Sequence, residues 1–281
     1  MKWTIIQGAD SNVHTIKMPY TSNDLEQYVL LCSDVHFDNK KCDRKLFLKH
    51  CELAKERNAP IIVIGDMLDL MQGKQDRRQS KSALRDEHKR NDYLDAVIEE
   101  TVEKLKGYPF AVISEGNHET AVTNRLGTNM IKRLARELDC FAGGYRGFIN
   151  FRFELQSKNS TGSRQTVKMF YDHGSGGGGP VTKGTIKSAR RSDMVDGVDI
   201  IASGHIHEAW TLERLKFTER SGRIYHRKIF HVQCPTYKEE IGSGASGWAN
   251  EQSFPPKPLG GWWLRFTIEK KRIKINLERA D

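Results

Sequence analysis

Aspartate, histidine and asparagine side chains gather in five short clusters along the chain. They are Ser33-Asp34-Val35-His36, Gly65-Asp66-Met67-Leu68-Asp69, Gly116-Asn117-His118-Glu119, Asp172-His173-Gly174 and Gly204-His205-Ile206-His207. These residue types offer carboxylate, amide and imidazole donors and no thiolate. Such a set suits manganese, iron or zinc better than magnesium or calcium, which seldom take several imidazoles. In extended backbone, residues i and i+2 point the same way, so Asp34 with His36, and His205 with His207, can each aim two donors at one point. Adding Asp66, Asn117 and His173 brings the donors to seven. That is too many for one ion and fits two ions sharing a bridging carboxylate, at the separation of about 3.5–4 Å usual in two-metal hydrolases.

Each cluster follows a short apolar run that reads as a buried strand: residues 28–32, 61–64, 110–113, 167–171 and 198–202. Helical spacing of apolar residues predicts helices over 43–57, 94–106 and 130–138. Strands alternating with helices argue for α/β layers. In such layers ligands bind beyond the carboxyl ends of the strands, where the clusters would converge. After Trp210 the texture turns to strands at 212–217, 224–232, 262–268 and 272–277, separated by Gly- and Pro-rich connections. The whole of 1–281 is therefore expected to be one domain, with 1–26 an N-terminal extension, 27–210 the motif-bearing core and 211–281 a tail completing the second sheet. Trp248, Trp262 and Trp263 are expected as core or interface anchors.

Composition narrows the class further. Hydrophobic residues make up 37% and charged residues 29% of the 281, which excludes a membrane span or a coiled coil as the organising principle. No apolar run approaches the roughly 18 residues of a spanning helix, and the opening residues, with one early lysine followed by polar side chains, do not read as a signal peptide. Five cysteines without a Cys-x-x-Cys pair suggest neither a disulfide framework nor a thiolate zinc site, and a cytoplasmic setting is expected. Lys and Arg number 45 against 36 Asp and Glu, a net charge of +9 that makes anionic partners plausible.

Taken together, the five clusters resemble the motif set of the calcineurin-like metallophosphoesterases over residues 27–210. The resemblance implies an α/β (α+β) fold: a four-layer αββα sandwich of two mixed β-sheets flanked by helices. It also implies two divalent ions, with manganese expected and iron or zinc as alternatives. Asp34, His36, Asp66 and His207 would hold the first ion, and Asp66, Asn117, His173 and His205 the second, with Asp66 bridging. His118 would be the general acid, oriented by Asp69. A hydroxide between the two cations would attack phosphorus in line with the leaving oxygen, which His118 would protonate.

Substrate clues are fewer. Asp69 is followed by Leu70-Met71-Gln72-Gly73 and not by the Arg-Gly of family members acting on phosphoproteins, which counts against that class. Lys74, Arg77, Arg78, Lys81, Arg85 and Lys89 would form one basic stripe if that segment is a helix, able to track a phosphate backbone. Residues 173–180, His-Gly-Ser-Gly-Gly-Gly-Gly-Pro, could present backbone N–H groups to a phosphate, with Lys183, Lys187, Arg190 and Arg191 downstream. This segment does not fit a P-loop. Lys74, Arg77, Lys81 and Lys183 are the candidate substrate-binding residues. The expectation is a dinuclear phosphoesterase leaning to phosphodiester or nucleic-acid substrates. A small-molecule phosphomonoesterase is the alternative, and a metal-dependent binding protein without catalysis a third.

Overall fold

The computed structural model describes residues 2–21, 25–71, 83–156, 163–241, 253 and 255–281. In chain order its strands are β1 (Thr4–Gln7), β2 (Val13–Tyr20), β3 (Glu26–Cys32), β4 (Ile61–Ile64), β5 (Phe110–Ser114), β6 (Phe141–Gly143), β7 (Arg146–Leu155), β8 (Arg164–Asp172), β9 (Ile200–Ser203), β10 (Trp210–Arg220), β11 (Arg223–Gln233), β12 (Gly261–Glu269) and β13 (Arg272–Ala280). The helices are α1 (Arg44–Glu56), α2 (Tyr93–Leu105), α3 (Asn117–Leu126), α4 (Met130–Glu137) and α5 (Thr185–Met194).

Strand alternation sorts side chains between two layers of core. On β3, Val29 and Leu31 join the interior between the sheets, while Leu30 and Cys32 face the helices. On β4, Ile62 and Ile64 point inward, and Ile61 and Val63 point to the helices. A register shift at Ile61/Ile62 against Phe110/Val112 lets Ala111 and Val112 both join the inner core. Phe151 and Phe153 of β7 meet Phe266 of β12 across the sandwich at ring-centroid distances of 5.1 and 5.0 Å. Trp262 and Trp263 are buried on β12, as expected of anchors, and Trp248 lies outside the described residues.

Two mixed sheets result. One runs β13-β12-β3-β4-β5-β6, with β3 to β6 parallel and β12 and β13 antiparallel additions. The other runs β1-β2-β7-β8-β9-β11-β10, with parallel pairs β2–β7, β8–β9 and β9–β11. Phe47, Val97, Val122 and Leu134 bring α1 to α4 onto the first sheet's outer face. Each such buried side chain contributes about 1.5–3 kcal/mol. Asp43 and Asn129 start α1 and α4 by accepting N–H bonds from Leu46 and Lys132. On the other sheet, α5 is fastened to β11 by Ser188 and Ser192, which bond the two ring nitrogens of His231 at 2.6 and 2.9 Å. The architecture is the αββα sandwich the motifs imply.

Two parts of the chain differ from expectation. Residues 211–281 do not complete one sheet: β10 and β11 extend the sheet that holds β8 and β9, while β12 and β13 cover the β3 edge of the other. Residues 1–26 are not a mere extension, because β2 is an integral strand paired along its length with β7.

Candidate metal centre

Strands β3, β4 and β5 of one sheet and β8 and β9 of the other end at the same place, and all five clusters lie there. Main-chain bonds tie the loops together: Asp34 N to the Gly65 carbonyl at 3.0 Å, His36 N to Asp66 at 3.1 Å, and Gly204 N to His173 at 3.0 Å. The paired donors do not sit in extended backbone. Asp34, His36, Asp66, His205 and His207 all take left-handed φ, between 50° and 71°. Such a conformation costs a non-glycine residue about 1–2 kcal/mol. Held strain of this kind clusters at functional sites. The neighbouring glycines permit the close approach: a Cβ on Gly116 would collide with the Asp66 carboxylate, and one on Gly204 with Ser33 and Asp34.

Three overlapping groups of donors form here: Asp34-His36-His207, His36-Asp66-His118 and Asp66-His173-His205, each with its ligand atoms within 4.8 Å of one another. Asp34 Oδ1 stands 3.3 Å from His207 Nε2, and Asp66 Oδ2 stands 3.1 Å from His173 Nε2. Asn117 Oδ1 lies 2.7 Å from His205 Nδ1 and 3.2 Å from His173 Nε2, so Asn117 belongs to the second group. All seven expected ligands are therefore brought together.

The donor set fits divalent cations on three counts. First, His173 Nδ1 donates to the Ile64 carbonyl at 3.0 Å, which fixes the tautomer and leaves Nε2 facing the centre with a lone pair. Second, Asp34 Oδ1 and both ring nitrogens of His36 are buried without a hydrogen-bond partner, an expensive state for polar atoms unless a ligand satisfies them. Third, the electrostatics ask for positive charge. Burial pushes the Asp34 carboxyl up, but the His207 and His173 imidazoles outweigh it and bring it to about 2. Asp66 is likewise held well below the carboxylate range, burial being overcome by His173 and His118. Burial opposes protonation of His173, yet Asp66 and Asp34 raise it to about 10, whereas burial and His173 lower His205 to about 4. Buried carboxylates that favour positive charge on their histidine neighbours would equally favour a bound cation.

His118, in the first turn of α3, turns Nδ1 to the main-chain carbonyl of Asp69 and Nε2 to within 3.8 Å of Asp66 Oδ2. The expectation that the Asp69 side chain orients His118 needs correcting. Its carboxylate is 3.8 Å from His118 Nδ1 but 2.9 Å from His36 Nδ1, and it also accepts from Asn39 at 2.9 Å and Lys238 at 3.0 Å. Asp69 thus meets His118 through its backbone carbonyl, while its side chain stands against the His36 ring.

Sequence reasoning missed several supporting residues. Glu119 is fully buried and accepts from Leu68 N at 2.9 Å and Gly116 N at 2.8 Å, clamping the Asp66 loop to the start of α3. A glutamate three residues after the N-cap, the carboxylate half of a capping box, was a usable signal for it. Asp38 accepts from the backbone N–H groups of Asp69 and Leu70. Thr236 Oγ1 and Tyr237 N both donate to the Asp34 carbonyl, at 2.7 and 3.0 Å. Nothing in the local sequence marks Thr236, Tyr237 or Lys238, because their partners lie some 170–200 positions away.

The substrate candidates fare differently. Lys74, Arg77, Arg78 and Lys81 lie outside the described residues. At the described end of the stripe, Arg85 is half-buried and donates to the carbonyls of Asn39 and Cys42, and Lys89 pairs with Asp86. Residues Asp86–His88 form a 3₁₀ turn, so this end is not a helical track. Lys183 lies at the rim, 3.8 Å from Glu208, and its carbonyl receives Trp210 Nε1. In the glycine-rich loop, Lys187 Nζ donates to the carbonyls of Ser175 and Gly177. Arg191 is buried against Asp172.

No family model matches the chain, and no curated protein matches it. Solved structures do. The chain is similar to vacuolar protein sorting 29 from Cryptosporidium parvum, with 12% identity over 91% of this chain and 98% of that one and a TM-score of 0.35. It is similar to a conserved uncharacterized protein, described as a predicted phosphoesterase, from Streptococcus pneumoniae, with 11% identity over 92% and 91% and a TM-score of 0.32. A third match is Vps29 complexed with zinc from Entamoeba histolytica, with 12% identity over 91% and 100% and a TM-score of 0.32. The fold is a sandwich of two mixed sheets flanked by helices, and it carries His and Asp groups able to take a metal. No helix among the described residues is long and apolar enough to cross a membrane.

Proposed function

We propose that this chain is a dinuclear metal-dependent phosphoesterase acting on phosphodiesters, nucleic acids included. The observation that carries the proposal is the overlap of the three donor groups, with Asp66 common to two of them and buried unpartnered acceptors beside it. Asp34, His36, Asp66 and His207 would hold one ion, manganese being the first choice, and Asp66, Asn117, His173 and His205 the other. Bound there, two divalent cations would neutralise phosphoryl oxygens and lower the pKa of water from 15.7 towards about 7.

The rest falls to side chains. His118 commits Nδ1 to the Asp69 carbonyl, so Nε2 is the atom left to hold a proton for the departing oxygen. Glu119 keeps His118 and Asp66 in register by joining the two loops that carry them. The glycine-rich loop stands beside the His205-Ile206-His207 turn, with Ile206 packed under Gly178 and Gly184, and it forms a wall against which the ester would lie.

A second reading, a small phosphomonoester as substrate, is favoured by one observation: Arg85, Lys89 and Lys183 already have partners. Turnover in Mn²⁺ of bis-p-nitrophenyl phosphate, p-nitrophenyl phosphate and single- and double-stranded DNA decides between them. Diester and DNA cleavage is the expected result. Cleavage of the monoester alone would favour the second reading, and no turnover with Mn²⁺, Fe²⁺ or Zn²⁺ on any ester would overturn both.

A further inference from the structure

We propose that Lys238 is a positioning residue for the ion held by Asp34, His36 and His207, acting through Asp69. The assignment rests on the dinuclear reading above. Lys238 comes from the segment after β11, yet its ammonium is buried beside the site, 7% exposed at the residue level. It donates to Asp69 Oδ1 at 3.0 Å and is steadied from the other side by Glu240 Oε1 at 3.1 Å. The same Asp69 Oδ1 stands 2.9 Å from His36 Nδ1. The run is therefore Glu240, Lys238, Asp69, His36. Its effect is geometric: a carboxylate pinned by an ammonium and by Asn39 keeps one oxygen against the Nδ1 edge of His36, which holds that ring in place with Nε2 unpartnered and free for the ion. Two further bonds from this segment, Thr236 Oγ1 and Tyr237 N to the Asp34 carbonyl, brace a second ligand of the same ion. The Asp66-His173-His205 group has no member in this run, so the influence of Lys238 is confined to one of the two ions.

Outer partners of ligating histidines typically affect metal affinity by about 10–100-fold. The test is Mn²⁺ binding by calorimetry, with bound metal counted by mass spectrometry, for the parent, K238M, K238R, D69N and D69N/K238M. K238M should weaken one of two sites about 10–100-fold and leave the other unchanged, and K238R should recover part of the loss. If Lys238 acts through Asp69, K238M adds no further loss in the D69N background. That pair also removes both buried charges together, so it reads the same coupling if K238M alone does not fold. Parent-like binding of both ions by K238M, or a full extra loss on top of D69N, would overturn the assignment while leaving the dinuclear reading intact. A parent that binds no divalent ion would instead overturn the dinuclear reading, and the assignment with it.

Discussion

At the scale of residues, chemistry is divided by which atom each side chain has already committed. His173 spends Nδ1 on the Ile64 carbonyl and His118 spends Nδ1 on the Asp69 carbonyl, so each has only Nε2 to offer. Asp66 is common to two donor groups, so Asp66→Ala is expected to abolish binding of both ions, whereas Asn117→Ala weakens chiefly the second; metal counts on dialysed protein check this. His118→Ala is expected to keep its metal and lose about 10²–10⁴-fold in kcat on diesters with poor leaving groups, but less on nitrophenyl esters, whose leaving group needs little protonation. Equal losses on both would mean that His118 orients the substrate or the metal. The seven candidate ligands were legible because Asp, His and Asn after buried strands have few structural uses. The side-chain role of Asp69 was not, since the choice between His118 and His36 depends on a loop geometry in which backbone and carboxylate point in different directions. Lys238 was illegible for a plainer reason: a lysine becomes a site residue only through a contact 169 positions away.

At the scale of elements, the strands that carry the clusters could be read because β3, β4, β5, β8 and β9 are short apolar runs ending in polar groups. The left-handed turns at Asp34, His36, His205 and His207 could not, because only glycine announces such a backbone in sequence. The same limit hid the distribution of the tail strands, whose alternation shows a buried face but not which sheet edge supplies the partner. Helix α5, which follows the glycine-rich loop, hangs on His231. Burial, reinforced by Arg214, Lys216 and Arg191, lowers this imidazole to about 4, so the folded protein refuses a proton that the unfolded chain accepts below about pH 6.5. Its contribution to stability is therefore complete above about pH 6.5 and is lost as pH falls towards 4. Urea unfolding in chelator at a series of pH values should show this loss, and His231→Gln should flatten it. An unchanged slope in the variant would locate the proton uptake elsewhere.

At the scale of the whole molecule, two mixed sheets with helices outside bring strand ends from both sheets to one place, and no single supersecondary unit could assemble these donors alone. The basic excess is a property of this larger surface. Arg85 serves structure and should be left intact, so the polyanion reading is best tested on Arg77 and Lys81, which lie outside the described residues. The double reversal R77E/K81E is expected to weaken DNA binding and flatten log K against log salt by about 0.9 for each duplex phosphate no longer neutralised. Hydrolysis of a small diester should be unchanged. Binding equal to the parent at every salt concentration would leave the small phosphoester as the better substrate class.

The most direct measurement is anomalous diffraction at the manganese edge from crystals grown in Mn²⁺. Two peaks separated by about 3.5–4 Å are expected, one beside Asp34, His36 and His207, the other beside Asn117, His173 and His205, with the Asp66 carboxylate between them. A single peak, or two peaks that do not share Asp66, would contradict the dinuclear centre.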